Sequence, residues 1–380
     1  MGNYTLYRIT FKTQLHLGRT AGPAQKVRER EQSQRQLDAD SAPTRMSSLG
    51  LENTETYVPA DTLFSAICQT WATFYGTESL TDFLSKYNED GTVLPFTLTS
   101  AFPFAQDVYH FPKPLTFRGS EDTSEKGKKE IKRVQFVSDN IFRSIIAGNT
   151  SDFADAPFIN GEKVWISCEE EARQKAAVSK RLNVAEEKLK DDDLIIWKPD
   201  TRARVTIGSQ NAGSQIWHVE TVQFNTDCGL WFAAEFDSDE TREKIETLLR
   251  VLGDNGIGGE RNAGYGMFKF SNENTIDLPT AEAGNPFVTL SPICPKSHEQ
   301  LSVLLNGDVA YAINPLTGWV STTGSASRRK QVNMFTEGSV LNAGEEQRIG
   351  SLVDLSPNGY AHPVYRYGYA WQVGIKGTSE

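Results

Sequence analysis

The sequence predicts an α+β fold, and three observations carry that prediction. Tyr4-Thr-Leu-Tyr-Arg-Ile-Thr-Phe-Lys-Thr-Gln-Leu-His-Leu17 has the β-branched and aromatic composition of a strand. Leu63, Phe64, Ile67, Trp71, Phe74 and Tyr75 recur at helical spacing. A stretch dense in glycine, Gly253-Asp-Asn-Gly-Ile-Gly-Gly-Glu-Arg-Asn-Ala-Gly-Tyr-Gly266, separates a second helical pattern from a second strand pattern.

In chain order, the first strand ends at Gly18, and a polar stretch from Arg19 to about Glu55 with few large apolar side chains reads as a long loop. Asp61 offers an N-cap to the first helix. Phe96-Thr-Leu-Thr-Ser-Ala-Phe-Pro-Phe104 reads as one strand, with Pro103 near its end or on an edge. Residues 106–205 are irregular. They hold the proline-extended Phe111-Pro-Lys-Pro114, the basic run Lys126-Gly-Lys-Lys-Glu-Ile-Lys-Arg133, a short strand at Val134–Val137, and acidic stretches at Glu169–Glu171 and Asp191–Asp193. This segment reads as an insertion into the first domain. Ile216–Phe224 and Leu230–Phe236 resume strand composition around a turn at Asn225–Gly229. Ile245, Leu248, Leu249 and Leu252 then mark a helix, and Met267–Phe270 a strand. The sum is a ferredoxin-like βαββαβ order with one large interruption. A polar boundary at 272–285 leads to a weaker pattern with candidate strands at Phe287–Leu290, Trp319–Thr323, Gly338–Leu341 and Tyr369–Ile375.

The glycine stretch is not a linker, because its glycines alternate with Ile257, Arg261 and Tyr265. Its order of helix, loop, strand is the reverse of a dinucleotide-binding turn, and Tyr265 stands where a P-loop needs Lys. A nucleotide-binding enzyme is therefore disfavoured.

Gly256-Ile-Gly-Gly-Glu-Arg-Asn-Ala-Gly-Tyr-Gly266 resembles the glycine-rich loop of the RAMP superfamily of CRISPR-associated proteins. Leu15-His-Leu-Gly18, Val58-Pro-Ala-Asp-Thr-Leu-Phe64, Phe111-Pro-Lys-Pro114, Thr336-Glu-Gly-Ser-Val340 and His362-Pro-Val-Tyr-Arg-Tyr-Gly368 are similar, in this order, to segments of the fourth Csm subunit of type III-A CRISPR effector complexes. The resemblance covers most of the chain. It implies two ferredoxin-like (RRM-like) domains, at 1–275 with insertions at about 19–55 and 106–205, and at 285–380 in degenerate form. It also implies that an insertion near the basic run forms a thumb-like hairpin that bends guide RNA. The implied function is a noncatalytic, RNA-binding subunit in antiviral defence. Such a subunit holds the 5′ repeat-derived tag of CRISPR RNA and joins the large polymerase/cyclase-like subunit to the RAMP backbone subunit.

The whole chain bounds this reading. Its net charge of −10 over 380 residues is awkward for a free-standing nucleic-acid binder, so RNA should meet local basic patches. Cys68, Cys168, Cys228 and Cys294 are widely spaced and form no zinc or disulfide pattern. No run is long and apolar enough for a membrane span, and a cytoplasmic protein without cofactor is expected.

The candidate RNA contacts are Gly256, Gly258, Gly259, Arg261, Asn262, Gly264 and Tyr265 of the glycine loop. Glycines admit close backbone approach, Arg261 suits a phosphate, and Tyr265 either stacks on a base or packs in the core. Lys128, Lys129, Lys132, Arg133 and Phe136 form a second group, and the same residues also suit a solvated face. Arg202, Arg204, Arg328, Arg329 and Lys330 are further phosphate candidates. Strand alternation puts His16 on the face opposite Leu15 and Leu17, beside Arg19. It would serve binding in the main reading and general-base chemistry in the alternative, a RAMP endoribonuclease processing precursor CRISPR RNA. Asp38 and Asp40 read as solvated turn residues, not as a metal site.

Overall fold

The computed structural model describes residues 4–18, 53–89, 93–117, 125–149, 153, 155–206, 215–273, 276–322, 325–346, 348–358, 360 and 363–376. Strand β1 (Tyr4–Phe11) lies inside the main sheet, paired antiparallel to β10 (Cys228–Phe236) on one side and β11 (Phe268–Glu273) on the other. Ile9, for example, faces Leu230 and Phe270. On the far side of β10 come β2 (Phe96–Leu98) and β3 (Phe102–Ala105). The run β1, helix α1 (Ala60–Tyr75), β2/β3, β10, helix α6 (Asp239–Asn255), β11 therefore gives a sheet of spatial order β11-β1-β10-β3.

Helix α1 buries Leu63, Phe64, Ile67 and Trp71, while Phe74 and Tyr75 at its C-terminal end are 55% and 37% exposed and fall outside the expected stripe. Asp61 is not the N-cap. Pro59 holds that position, and Asp61 sits in the first turn with its side chain paired to Arg366. A short helix α2 (Thr77–Ser85) follows. Helix α6 begins at Ser238, whose hydroxyl accepts from Thr241 N–H, and buries Ile245, Leu248, Leu249 and Leu252, as the spacing predicts. Each such fully buried aliphatic side chain contributes about 1.5–3 kcal/mol.

Two expected strands are broken where the main chain changes partner. Thr99 N–H donates to Ala233 O at 2.9 Å, but Ser100 N–H turns to Leu290 O and Ala101 N–H to Val58 O, which separates β2 from β3. Strand β19 (Tyr365–Tyr369) pairs with β18 (Gly350–Asp354), and β20 (Gln372–Gly374) pairs with β12 (Pro286–Thr289). The switch falls at Trp371, whose N–H donates to Ser291 Oγ at 2.7 Å. Strand β1 ends at Phe11 instead of Leu17 because Leu15 bridges to Val222, away from the sheet.

The insertion extends the same sheet through β4 (Val108–Pro112), β5 (Phe136–Ser138), β7 (Val164–Trp165) and β6 (Phe158–Ile159). It carries helices α3 (Glu125–Arg133), α4 (Asp139–Ile146) and α5 (Cys168–Leu182). Phe111 and Phe142 stack at 4.4 Å to hold α4 on β4. A long two-stranded hairpin, β8 (Trp197–Thr206) with β9 (Gln215–Phe224), then leaves the sheet.

The C-terminal region adds helix α7 (His298–Leu304), hairpin strands β13 (Ile313–Leu316) and β16 (Val332–Phe335), β14 (Trp319–Thr322) and β15 (Ser325–Arg328), and β17 (Val340–Asn342) beside β12. It shares the main core: Val288, Leu290, Tyr367 and Trp371 cluster with residues of α1 and β1. The Phe64 and Tyr367 rings lie 4.9 Å apart, and Tyr4 meets Trp371 edge-on at 5.7 Å. A smaller second core gathers Phe287, Ile293, Leu304, Phe335 and Leu341. Of the loop expected from Arg19 to about Glu55, residues 19–52 lie outside the described residues.

Candidate nucleic-acid interface

The glycine loop follows α6 because Gly256, at φ 81°, ends the helix in a conformation that side chains disfavour. Several of its glycines are required by the protein's own backbone. A Cβ on Gly256 would stand 2.4 Å from Tyr265 O, on Gly258 2.3 Å from His16 O, and on Gly266 2.0 Å from Ile257 O. The loop's N–H groups are largely committed as well. Gly259 N–H donates to His16 O at 2.8 Å, Ile257 N–H to Gly266 O, and Gly266 N–H to Gln14 O. The close backbone approach expected at the glycines is made at Gly256 and Gly258 by the protein's own chain, and the Gly256 and Gly259 N–H groups donate to Leu252 O and His16 O. Gly258, Gly259 and Gly266 lock the loop onto the Gln14–Leu17 segment, and Arg261, Asn262 and Ala263 between them are exposed.

His16 is 1% exposed, not an exposed side chain. Its Nδ1 lies 2.7 Å from Glu220 O, and a carbonyl only accepts, so Nδ1 carries the hydrogen. His110 is fully buried, and burial pushes its pKa down to about 4, making it a neutral core side chain. Tyr265 is 7% exposed and takes the core alternative. The Arg204 guanidinium stands 5.4 Å from its ring and 5.7 Å from that of Trp217, while Arg204 Nη1 pairs with Glu260 Oε2 at 3.0 Å. Arg204 therefore joins hairpin β8–β9 to the glycine loop. Arg202 is exposed and pairs with Asp200 at 3.0 Å. Gly264 leaves open space for a Cβ, at φ 84°.

The basic run lies on helix α3, and the long hairpin is instead β8–β9. Lys129, Lys132 and Arg133 are exposed, with Arg133 paired to Glu162 at 2.6 Å. Lys128 falls on the helix, and its side chain lies outside the described set. Phe136 is 3% exposed and meets the Trp197 ring edge-on at 6.0 Å, so it belongs to the core and is not a free stacking platform. Arg328 and Lys330 are exposed and Arg329 is half-buried. Arg19, Asp38, Asp40 and His362 lie outside the described residues.

One open cleft of about 1400 Å³ brings part of the expected set together: Gly258, Gly259, Arg261, Lys132, Phe136 and Arg329. Gly256, Asn262, Gly264, Tyr265, His16, Lys129, Arg133, Arg202, Arg204, Arg328 and Lys330 do not line it. The cleft adds residues that the site reading missed, and the signal for them was present. Lys113, Glu337 and Arg366 each lie inside one of the short motifs that carried the resemblance. All five of those motifs, and the glycine loop, contribute lining residues.

The electrostatics of the cleft differ from those of the chain. Lys113, Lys132, Arg261, Arg329 and Arg366 line it against Glu55, Asp61 and Glu337, in a protein of net charge −10. Asp61 is paired with Arg366 Nη1, yet burial still raises its pKa above the usual value. Glu337 accepts from Ser100 Oγ at 2.5 Å and Tyr57 OH at 3.1 Å, and burial pushes its pKa up to about 7. Ser100 Oγ in turn accepts from Ala60 N–H at 2.8 Å, which ties Glu337 to the start of α1. Lys113 Nζ donates to Ile131 O at 2.5 Å, and burial lowers its pKa. Among the described residues no group of three or more metal-ligating side chains is present.

Comparison with known proteins places these features in a family. Residues 8–269 match the RAMP superfamily, and residues 282–375 match the CRISPR Csm4 C-terminal domain. The CRISPR system Cms protein Csm4 of Mycobacterium tuberculosis is 26% identical over 330 residues, covering 85% of this chain and 92% of the relative. That of Thermococcus onnurineus is 25% identical over 323 residues, covering 83% and 91%. The crystal structure of a Csm3-Csm4 subcomplex in the type III-A CRISPR-Cas interference complex superposes with a TM-score of 0.62 at 16% identity, over 98% of this chain and 99% of that one. A Csm1-Csm4 cassette in complex with cA4 gives 0.52 at 16% identity, with 98% coverage of both. The chain belongs to the RAMP superfamily of CRISPR-associated proteins and, within it, to the Csm4 family.

Proposed function

We propose that this chain is the noncatalytic, RNA-binding Csm4 subunit of a type III-A Csm effector complex, acting in the cytoplasm in antiviral defence. It holds the 5′ repeat-derived tag of CRISPR RNA in the cleft and joins the large polymerase-like subunit to the RAMP backbone subunit. The observation that carries the reading is convergence: motifs scattered from Leu15 to Gly368 meet at one cleft that is locally cationic in an acidic protein. Lys132 and Arg261, both exposed on its lining, are the first phosphate contacts we assign. Relatives whose solved structures pair Csm4 with Csm3 and with Csm1 support the bridging role.

The sheet order β11-β1-β10-β3, with α1 and α6 in its crossovers, supports a ferredoxin-like first domain at 1–275. A degenerate ferredoxin-like domain at 285–380 rests on the resemblance and on the match at 282–375. The hairpin β8–β9 takes the thumb role that the sequence reading gave to the basic run. The endoribonuclease alternative loses its base, because His16 is buried with Nδ1 committed to Glu220 O. Among the described residues no helix is long and apolar enough to cross a membrane.

A salt series of gel shifts with tag-bearing RNA, beside a denaturing gel of the same samples, tests the proposal. Wild type should retain uncut RNA, and Lys132→Ala with Arg261→Ala should weaken binding and flatten the log–log salt slope by about 0.7 for each lost phosphate contact. Cut RNA would move the reading to a nuclease, and an unchanged slope would remove Lys132 and Arg261 from the interface.

A further inference from the structure

Two arginines stand in the cleft near one carboxylate, which pairs with only one of them. Arg366 on β19 and Arg329 just after β15 both line the cleft, and Asp61 in the first turn of α1 pairs with Arg366 Nη1. Among the described residues no ion pair involves Arg329, and the Nε atoms of both arginines make no hydrogen bond. The Arg366 side chain is only 12% exposed and Arg329 is half-buried, so neither is simply a solvated surface charge. Burial and the neighbouring Arg366 charge lower the pKa of Arg329. About one positive charge is thus left uncompensated in a partly dehydrated place, which is costly unless an anion completes it.

The rest of the cleft says which anion fits. Ile313, Leu316 and Val320 also line it, and Ile313 is 52% exposed. An apolar lining beside paired guanidiniums suits a single nucleic-acid strand, with bases on the apolar residues and a phosphate on the arginine forks. We propose that Arg329 and Arg366 form a seat for one phosphodiester group of a bound single strand, with Asp61 orienting Arg366 and leaving the second guanidinium to the phosphate. This inference rests on the cleft being the RNA site. It adds a position at which the strand is fixed and a direction, backbone toward the arginines and bases toward β13 and β14.

The test uses the full chain and tag-bearing RNA oligonucleotides in which each linkage in turn is a neutral methylphosphonate. In wild type, one linkage should cost about tenfold in affinity when neutralised, the size of one hydrogen bond to a charged group. In Arg329→Gln that linkage should become insensitive while the other linkages keep their effects, and Arg329→Lys, which retains the charge, should restore part of the sensitivity. Persistence of the same sensitive linkage in Arg329→Gln, with RNA still bound, would overturn the seat and leave the cleft reading standing. Failure of wild type to bind any of the RNAs would overturn the cleft reading itself. Inorganic phosphate is the control for a free-anion site. Competition by it at micromolar concentration would reassign the seat to a free phosphate, whereas the proposal expects none.

Discussion

Glu337 shows how one side chain can carry both a fold contact and a site property. Its carboxyl receives Ser100 and Tyr57, but burial dominates and raises its pKa to about 7 from an ordinary value of 4.5. The folded state therefore holds this proton more tightly than the unfolded chain. Stability contributed by the group is greatest below about pH 4.5, falls as pH rises to about 7, and is level above that. Glu337→Gln removes the titration, so the fall in melting temperature from pH 5 to pH 8 should be a few degrees smaller than in wild type. Equal falls in the two proteins would show that Glu337 is not the titrating group. Residue roles were the least legible part of the sequence. Strand alternation read His16 as facing away from Leu15 and Leu17, but β1 ends at Phe11 and all three side chains are buried, with Glu220 and Gly259 against His16. Gly258 was marked correctly as special, but the backbone that approaches it is that of His16.

At the scale of elements, the strongly periodic segments were legible. Helix α6, the glycine loop and β11 follow in the expected order, as do α1 and β10. What the sequence obscured were places where the main chain changes partner, at Ser100 and at Trp371, since composition there remains strand-like. The basic run was read as part of a hairpin and forms α3, while the hairpin itself, β8–β9, is fastened to the glycine loop by Arg204. Arg204→Met keeps much of the stem and removes the Glu260 ion pair and the cation–π contacts. Because the pair is about 30% and 26% exposed, global stability should fall by no more than about 1 kcal/mol. Hydrogen exchange, measured by mass spectrometry, should nevertheless rise in 197–206 and 215–224. Unchanged exchange there would mean that the hairpin is held by its base alone, where Trp197 is buried and Leu15 bridges Val222.

For the whole molecule, charge and topology have to be read together. A net charge of −10 argues against nonspecific affinity for nucleic acid, and the five basic residues of the cleft concentrate attraction in one place. Topology brings that place together. Segments near residues 17, 60, 113, 258, 337 and 366 are far apart in sequence, and a shared core that joins β12, β19 and α1 sets them around one opening. Single-chain patterning could mark each segment but could not show that they meet, because convergence is a property of the packed core. The most direct measurement is crosslinking of tag-bearing RNA carrying 4-thiouridine, followed by mass spectrometry of the attached peptides. Peptides covering 132–136, 257–261, 313–320 and 363–366 should carry the RNA. Crosslinks confined to α5, or to the outer face of α6, would contradict the cleft as the RNA site.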